Sequence, residues 1–367
     1  MKENIEGTEE SKDMEQEGQK HQRRVRYKGT HPKRYEEKYK ELQPEKYPET
    51  VAKVIQKGST PVGMHIPIMV NEILEFLQIQ PGQTGLDATL GYGGHTSRML
   101  ERLESKGHIY ALDVDSIEME KTRQRLEHMG YGPEILTIRK LNFANIDQIA
   151  GEFGPLDFVL ADLGVSSMQI DNPSRGFSFK KEGPLDLRLD PLKGEPASER
   201  LKGLTQEELT GMLMENSDEP YAEEIARTVM GEIKRGREVA TTTRLYEMVD
   251  RALAFIPEEE RKEAVKKSCQ RTFQALRIDV NSEFEVLYEF LDKLPGVLKP
   301  GGRAAILTFH SGEDRIVKKS FKEMYRAGLY SQVAGDVIRP SAEECRMNSR
   351  AHSTKMRWAI KAEDSNS

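Results

Sequence analysis

From Met64 onward the chain alternates short apolar runs with amphipathic stretches, and this rhythm restricts the fold more than any other feature. TGLDATL (84–90) is followed by HTSRMLERL, HIYALDVD (108–115) by SIEMEKTRQRLEHM, and then comes ILTIRKLNF (135–143). Parallel strands cannot be joined by a hairpin. Each needs a crossover, and a crossover helix buries its apolar stripe on the sheet it returns to. The order of runs therefore predicts βαβ units on a parallel, Rossmann-like α/β sheet. LDFVLADLGVSS (156–167) continues it as a fourth strand, GGRAAILTFHS (301–311) as a fifth and MRWAIKA (356–362) as a last.

Between the fourth and fifth strands the pattern changes. TQEELTGMLMEN, YAEEIARTVMGEIKRG and TRLYEMVDRALAFI carry apolar residues at i, i+3 and i+4, the spacing of helices with one buried face. Residues 187–275 are thus expected to form an inserted helical subdomain that divides the sheet domain into 64–186 and 276–367. An insertion that leaves and rejoins a sheet at one end is placed to cover a site there.

Residues 1–60 hold few large apolar side chains and no sustained periodicity before EKYPETVAKVIQ, which reads as a charged, mostly disordered arm closing in a short helix. Within it, residues 20–40 carry nine Lys or Arg against two Glu, interleaved with Tyr27, Tyr35 and Tyr39. Such a segment either neutralises phosphates and stacks bases or simply stays solvated. The whole chain has a net charge of −6, so contact with nucleic acid has to be local. No window reaches the roughly 18 unbroken apolar residues of a membrane span, and the opening residues lack the basic and apolar regions of a secretory signal. A cytoplasmic protein without membrane contact is expected. Cys269 and Cys345 are too few and too far apart for a disulfide framework or a zinc site, and read as reduced, inert thiols.

The chemistry concentrates in DATLGYGGH (87–95). Gly91, Gly93 and Gly94 follow an apolar strand, where the lack of a Cβ lets backbone come close to a ligand. Their spacing departs from the G-x-G-x-x-G of dinucleotide sites. Asp113 closes the next strand, where an acid can hold two ribose hydroxyls. Together these fit a nucleoside without a pyrophosphate, such as S-adenosylmethionine. Asp87 is expected to fix the glycine turn and also to face the methionine end of such a ligand. His95 opens the following helix as a cap, a core side chain or a ligand contact. Asp162 stands at the carboxyl end of the apolar fourth strand, where open α/β sheets bind ligands. His310 follows the fifth strand on the same edge, either as a buried, satisfied side chain or as a substrate contact, and His65 is open to similar readings. No His/Cys cluster or acidic repeat has metal-ligand spacing, so no metal is expected.

HIPIMVNEIL, DATLGYGGHT, ALDVD, LADLGVSSMQID, RGFSF, GPLDLRLD, RTFQALRIDVN, FHSGEDRIVK and NSRAHSTKMRW, in this order, resemble the bacterial 16S ribosomal RNA cytosine-N4 methyltransferase family over about residues 64–362. The resemblance implies a Rossmann-like S-adenosylmethionine-dependent methyltransferase sheet interrupted by a helical domain. It implies that Gly93, Gly94 and His95 touch the cofactor, that Asp113 holds its ribose, that Phe143 lines the adenine pocket and that Asp162 and Gln169 complete the site. The implied partner is 16S ribosomal RNA in the small ribosomal subunit or its precursor; homodimerisation is left open. The chain departs from the family where Ala88 stands for a more usual glycine and Gly312 for a leucine, and in having the basic arm. These departures point to a divergent or second copy.

An exocyclic amine is a poor nucleophile because its lone pair is delocalised into the ring, so the site must align it and accept its hydrogen. Candidates are Asp162, Ser166 or backbone carbonyls of the 162–167 loop, and His310. Arg175, Arg188, Arg271, Arg277 and Arg315 serve either as phosphate contacts or as ion-pair partners of Asp186, Asp190, Asp279 or Asp314. Phe177 and Phe179 are base-stacking or core side chains. Two other readings remain open on sequence alone: a nicotinamide-linked oxidoreductase, disfavoured by the glycine spacing and DLGVSS, and a catalytically inactive RNA-binding or ribosome assembly factor on the same fold.

Overall fold

A computed structural model describes residues 67–363. The basic arm, the short helix at its end and His65 lie outside the described residues. Helix α1 (Val70–Leu77) leads into β1 (Thr84–Asp87), α2 (Gly94–Leu103), β2 (His108–Asp113), α3 (Ser116–His128), β3 (Leu136–Lys140), α4 (Ile146–Phe153) and β4 (Leu156–Asp162). A short turn of helix, α5 (Ser167–Asp171), follows. The helical layer is α6 (Ala197–Lys202), α7 (Gln206–Ser217), α8 (Ala222–Lys234), α9 (Thr242–Ala252) and α10 (Glu258–Asn281). The chain returns through α11 (Glu283–Val297) to β5 (Leu298–Thr308), α12 (Ser311–Arg326), β6 (Tyr330–Val333), α13 (Ala342–Met347) and β7 (Lys355–Lys361).

The seven strands form one sheet in the order β3-β2-β1-β4-β5-β7-β6. β1 to β5 pair in parallel, and β7 runs antiparallel between β5 and β6. Because side chains alternate across a strand, the continuous apolar runs fill both faces. Leu86, Leu112, Val159, Ala161, Ala304 and Ile306 pack with α4, α11 and α12. Ile109, Ala111, Phe158, Leu160, Ala305 and Leu307 pack with α1, α2 and α3. Gly85 lets β1 sit at the centre, since a Cβ there would lie 2.0 Å from the Phe158 ring.

The helical layer has its own core, including Leu213, Ile225, Val229, Val249 and Leu276. Helix α7 starts on a reciprocal cap in which Thr205 accepts from the Glu208 amide while the Glu208 carboxylate accepts from the Thr205 amide. Helix α10 runs unbroken through position 275, where the end of the insertion is expected from sequence, and stops at Asn281. The Asn281 amide accepts from Leu189 N–H at 2.7 Å and donates to the Leu187 carbonyl at 2.8 Å, tying the exit of the helical layer to its entrance.

Strand β6 is absent from the sequence expectations because YSQV offers no apolar alternation, and it is held at the sheet edge by β7 alone. It carries Tyr330, which is 1% exposed and whose hydroxyl has no hydrogen-bond partner. Burying an unpaired hydroxyl costs about 1–3 kcal/mol, whereas the ring packs equally well without it. Tyr330→Phe is therefore expected to stabilise the protein by about 1 kcal/mol, read as a higher denaturant midpoint with an unchanged slope.

Candidate active site

Strands β1, β2 and β4 all end in aspartate at the same edge of the sheet, and the three carboxylates do different work. Asp87 is 1% exposed; its Oδ1 accepts from Thr89 N–H at 3.1 Å and its Oδ2 from the Thr96 hydroxyl at 2.6 Å. It fixes the turn and does not reach the cavity wall. Asp113 accepts from Gly91 N–H and Asp115 N–H, both at 2.8 Å, and borders the cavity. Burial pushes its carboxyl up to about 6 even though those two amides pull the other way. Each oxygen keeps a second lone pair for a ligand hydroxyl.

Asp115 joins the two walls of the site. Its Oδ1 caps α3 by accepting from the Ile117 and Glu118 amides, while its Oδ2 accepts from Gln169 Nε2 at 2.9 Å and Arg175 Nη1 at 2.7 Å. The Gln169 carbonyl in turn accepts from Ser166 N–H, and the Ser166 hydroxyl oxygen accepts from Gln169 N–H. The 162–171 segment is thereby braced against the end of β2.

Asp162 faces His95. The Nε2 of His95 lies 2.9 Å from the Ile68 carbonyl, which can only accept, so this nitrogen carries a hydrogen. The other ring nitrogen is 3.4 Å from Asp162 Oδ2. That approach is attractive only with one more proton, held by the histidine or by the carboxyl. Burial raises Asp162 to about 6; His95 opposes the rise, and Asp87 and Glu313 add to it. The raised carboxyl of Asp162 thus faces a ring nitrogen of His95 at the mouth of the fourth strand.

Across the edge, at the end of β5, His310 caps α12 by accepting from Glu313 N–H. Its Nε2 lies 3.1 Å from Glu313 Oε1 but makes no hydrogen bond. Burial favours the neutral form of Glu313, yet His310, Arg277 and the Phe309 amide together hold it below the usual carboxylate range. Glu283, His310 and Glu313 place donor atoms within 4.8 Å of one another, and Arg277 supplies positive charge through two bonds to Glu283. Glu313 was not singled out in the sequence because its partners come from α10, α11 and the strand end.

Asp113, Asp162 and His95, the Ser166–Gln169 pair and the His310–Glu313–Glu283 group all border one cavity of about 850 Å³ between the sheet edge and the helical layer. That is the upper part of the range of small-molecule pockets and leaves room for a nucleoside cofactor beside a second group. The MraW methylase family matches residues 63–362. The chain belongs to this family. A protein of Lachnoclostridium phytofermentans called ribosomal RNA small subunit methyltransferase H 1 is 72% identical over 342 residues, 93% of each chain. One of Alkaliphilus metalliredigens called H 2 is 67% identical over 349 residues, covering 95% of this chain and all of the relative. Both alignments are too long to fit after Pro67, so they extend into the arm. A Koribacter versatilis relative called simply H is 38% identical over 81% of this chain.

As an MraW methylase the chain uses S-adenosyl-L-methionine, and most of the residues expected from the sequence to form its site line the cavity. Gly94, His95, Asp113, Phe143, Asp162, Ser166, Gln169 and His310 border the cavity. Gly93 does not. It caps α2 with φ 70°, and a Cβ there would meet Leu126 at 2.9 Å, so its lack of a side chain serves helix packing. Gly91, at φ 48°, is the glycine of the turn that faces the cavity along with Gly94. Cys269 is buried with its thiol pushed up to about 12, which keeps it unreactive.

The five arginines are all ion-paired, mostly with unexpected partners. Arg188 takes Asp186, as expected, but Arg175 takes Asp115, Arg271 approaches Glu219, Arg277 takes Glu283 and Arg315 takes Asp218. Phe177 and Phe179 both pack on the helical core and border the cavity, and Phe179 stacks on Tyr246 at 5.7 Å. A Cβ at Gly312 would lie 2.7 Å from the tip of the Phe284 ring, so a leucine there requires that ring to shift.

Proposed function

We propose that this chain transfers a methyl group to the exocyclic N4 of a cytidine in 16S ribosomal RNA of the small subunit or its precursor. The observation that carries this reading is that one cavity is lined by a strand-end carboxylate suited to ribose hydroxyls, Asp113, by Asp162 facing His95, and by the aromatic rings of Phe177 and Phe179. The names of the relatives support the RNA substrate; the LADLGVSS, RGFSF and GPLDLRLD motifs support N4 as the acceptor. The long alignments with relatives numbered H 1 and H 2 support a second-copy form with its own basic arm.

When bound, S-adenosyl-L-methionine supplies a methyl group made electrophilic by its sulfonium. Asp113 would accept hydrogen bonds from its ribose hydroxyls, and Phe143, held edge-on against Phe290, would offer its ring to adenine. Gly94 and His95 would hold its methionine end. Ser166 and the loop carbonyls orient the base, while Asp162 accepts a hydrogen of the N4 amine and so lets the nitrogen lone pair localise. Asp162 would then take up the proton that the amine gives up on methylation. Asp162, partly open to the cavity, would then release that proton to solvent. His310 and Glu313 close the side of the pocket away from the cofactor. The target base has to leave its stack to reach this depth, at a cost that is smallest for an unpaired nucleotide.

Mass mapping of 16S ribosomal RNA from cells with and without the gene tests the reading. One N4-methylated cytidine is expected to disappear with the gene and to return when purified protein and cofactor are added to the unmodified subunits. Unchanged methylation in both settings would leave the inactive assembly factor as the better description.

A further inference from the structure

Among the described residues, three Lys or Arg border the cavity: Lys180, Arg277 and Arg350. Arg277 is spent on Glu283, with bonds of 2.8 and 2.9 Å. Lys180 is exposed at the rim. Arg350 differs from both. Its Nη2 comes no closer than 3.8 Å to Asp171 Oδ2, and its Nη1 is buried without any hydrogen-bond partner. A buried guanidinium nitrogen with unused hydrogens is costly, and the planar fork matches the paired oxygens of a phosphate.

Local structure fixes the backbone that carries this side chain. Arg350 N–H donates to the Asn348 carboxamide at 3.1 Å, and its carbonyl accepts from the hydroxyls of Ser353 and Thr354, of which Thr354 is fully buried. The segment immediately precedes β7, which lies beyond β5 in the sheet, whereas Asp113 and Phe143 follow β2 and β3 on the other side of β4. Arg350 therefore stands on the side of Asp162 opposite Asp113 and Phe143, the residues assigned above to the adenosine, and so on the side that reading leaves for the acceptor.

We infer that Arg350 binds a backbone phosphate of the RNA beside the nucleotide being methylated. This rests on the ribosomal RNA reading above. The same guanidinium could meet an anionic oxygen from another source, the cofactor's carboxylate, and the experiment separates the two.

Arg350→Gln and Arg350→Lys would be compared with wild type for binding to unmethylated small subunits over a KCl series, for S-adenosyl-L-methionine affinity by calorimetry, and for melting temperature. Arg350→Gln is expected to weaken subunit binding on the order of tenfold. It should also reduce the slope of log affinity against log salt by about one, the signature of one lost phosphate contact. Arg350→Lys keeps the slope and loses part of the affinity, and cofactor affinity stays within about twofold in both. Weaker cofactor binding with an unchanged salt slope would assign the arginine to the carboxylate and overturn the inference. So would unchanged slopes and affinities, or a melting temperature lowered equally in both variants with no difference in slope. Wild-type protein that fails to label the subunits would overturn the ribosomal RNA reading itself, independently of Arg350.

Discussion

Asp113→Ala is expected to weaken S-adenosyl-L-methionine binding on the order of a hundredfold while the protein stays folded, because two hydroxyl hydrogen bonds to a charged acceptor are lost together and each contributes about 1.5–3 kcal/mol. Calorimetry checks it. Wild-type affinity in the variant would remove the ribose assignment. The wild-type protein should also bind the cofactor more weakly as pH falls through about 6, since protonation of Asp113 takes away an acceptor just where burial has placed its titration. Asp113→Asn should bind weakly at every pH and lose that dependence.

Asp162→Asn is expected to lower the rate of methyl transfer about 10²- to 10⁴-fold, the range over which a positioned proton acceptor acts. Its effect on stability should have the opposite sign. A carboxyl whose pKa is raised on folding stabilises the native state most below its unfolded value near 4, and that contribution is lost as pH rises through the folded value of about 6. Above about 6 the empty site therefore holds an ionised carboxylate at a cost that asparagine does not incur. With 29% of the Asp162 side chain open to the cavity, the gain is about 1 kcal/mol. Thermal melts of both proteins from pH 4 to pH 8 should show the variant ahead at pH 8 and the difference vanishing toward pH 4. A variant less stable at pH 8 would mean that the contact with His95 outweighs desolvation.

These two residues were legible in the sequence because strand ends are. Period and polarity place Asp113 and Asp162 at the carboxyl edge without knowledge of any partner, and the helix spacing of the insertion is read the same way. Pairing is not legible in this manner. Arg175 meets Asp115 across 60 residues of sequence, while nearer acids such as Asp186 and Asp190 were the natural candidates. The choice between Gly91 and Gly93 also escapes sequence reading, since both have positive φ and only the packing of α3 against α2 shows which one faces a ligand. Glu313 needed three separate elements to become visible, and β6 needed its partner strand.

The tie that Asn281 makes to Leu187 and Leu189 bears on how this architecture can diverge. A stretch of over ninety residues starts and finishes at one side chain. To the sheet, everything between is equivalent to a short link between β4 and the helix before β5. Drift within that stretch leaves the strand register untouched so long as the knot at its base persists. Homologous chains should accordingly vary in length and sequence most freely between 190 and 270, ahead of the RTFQALRIDVN motif, and a graft exchanged within those bounds should keep its host's cofactor affinity while importing the donor's choice of RNA.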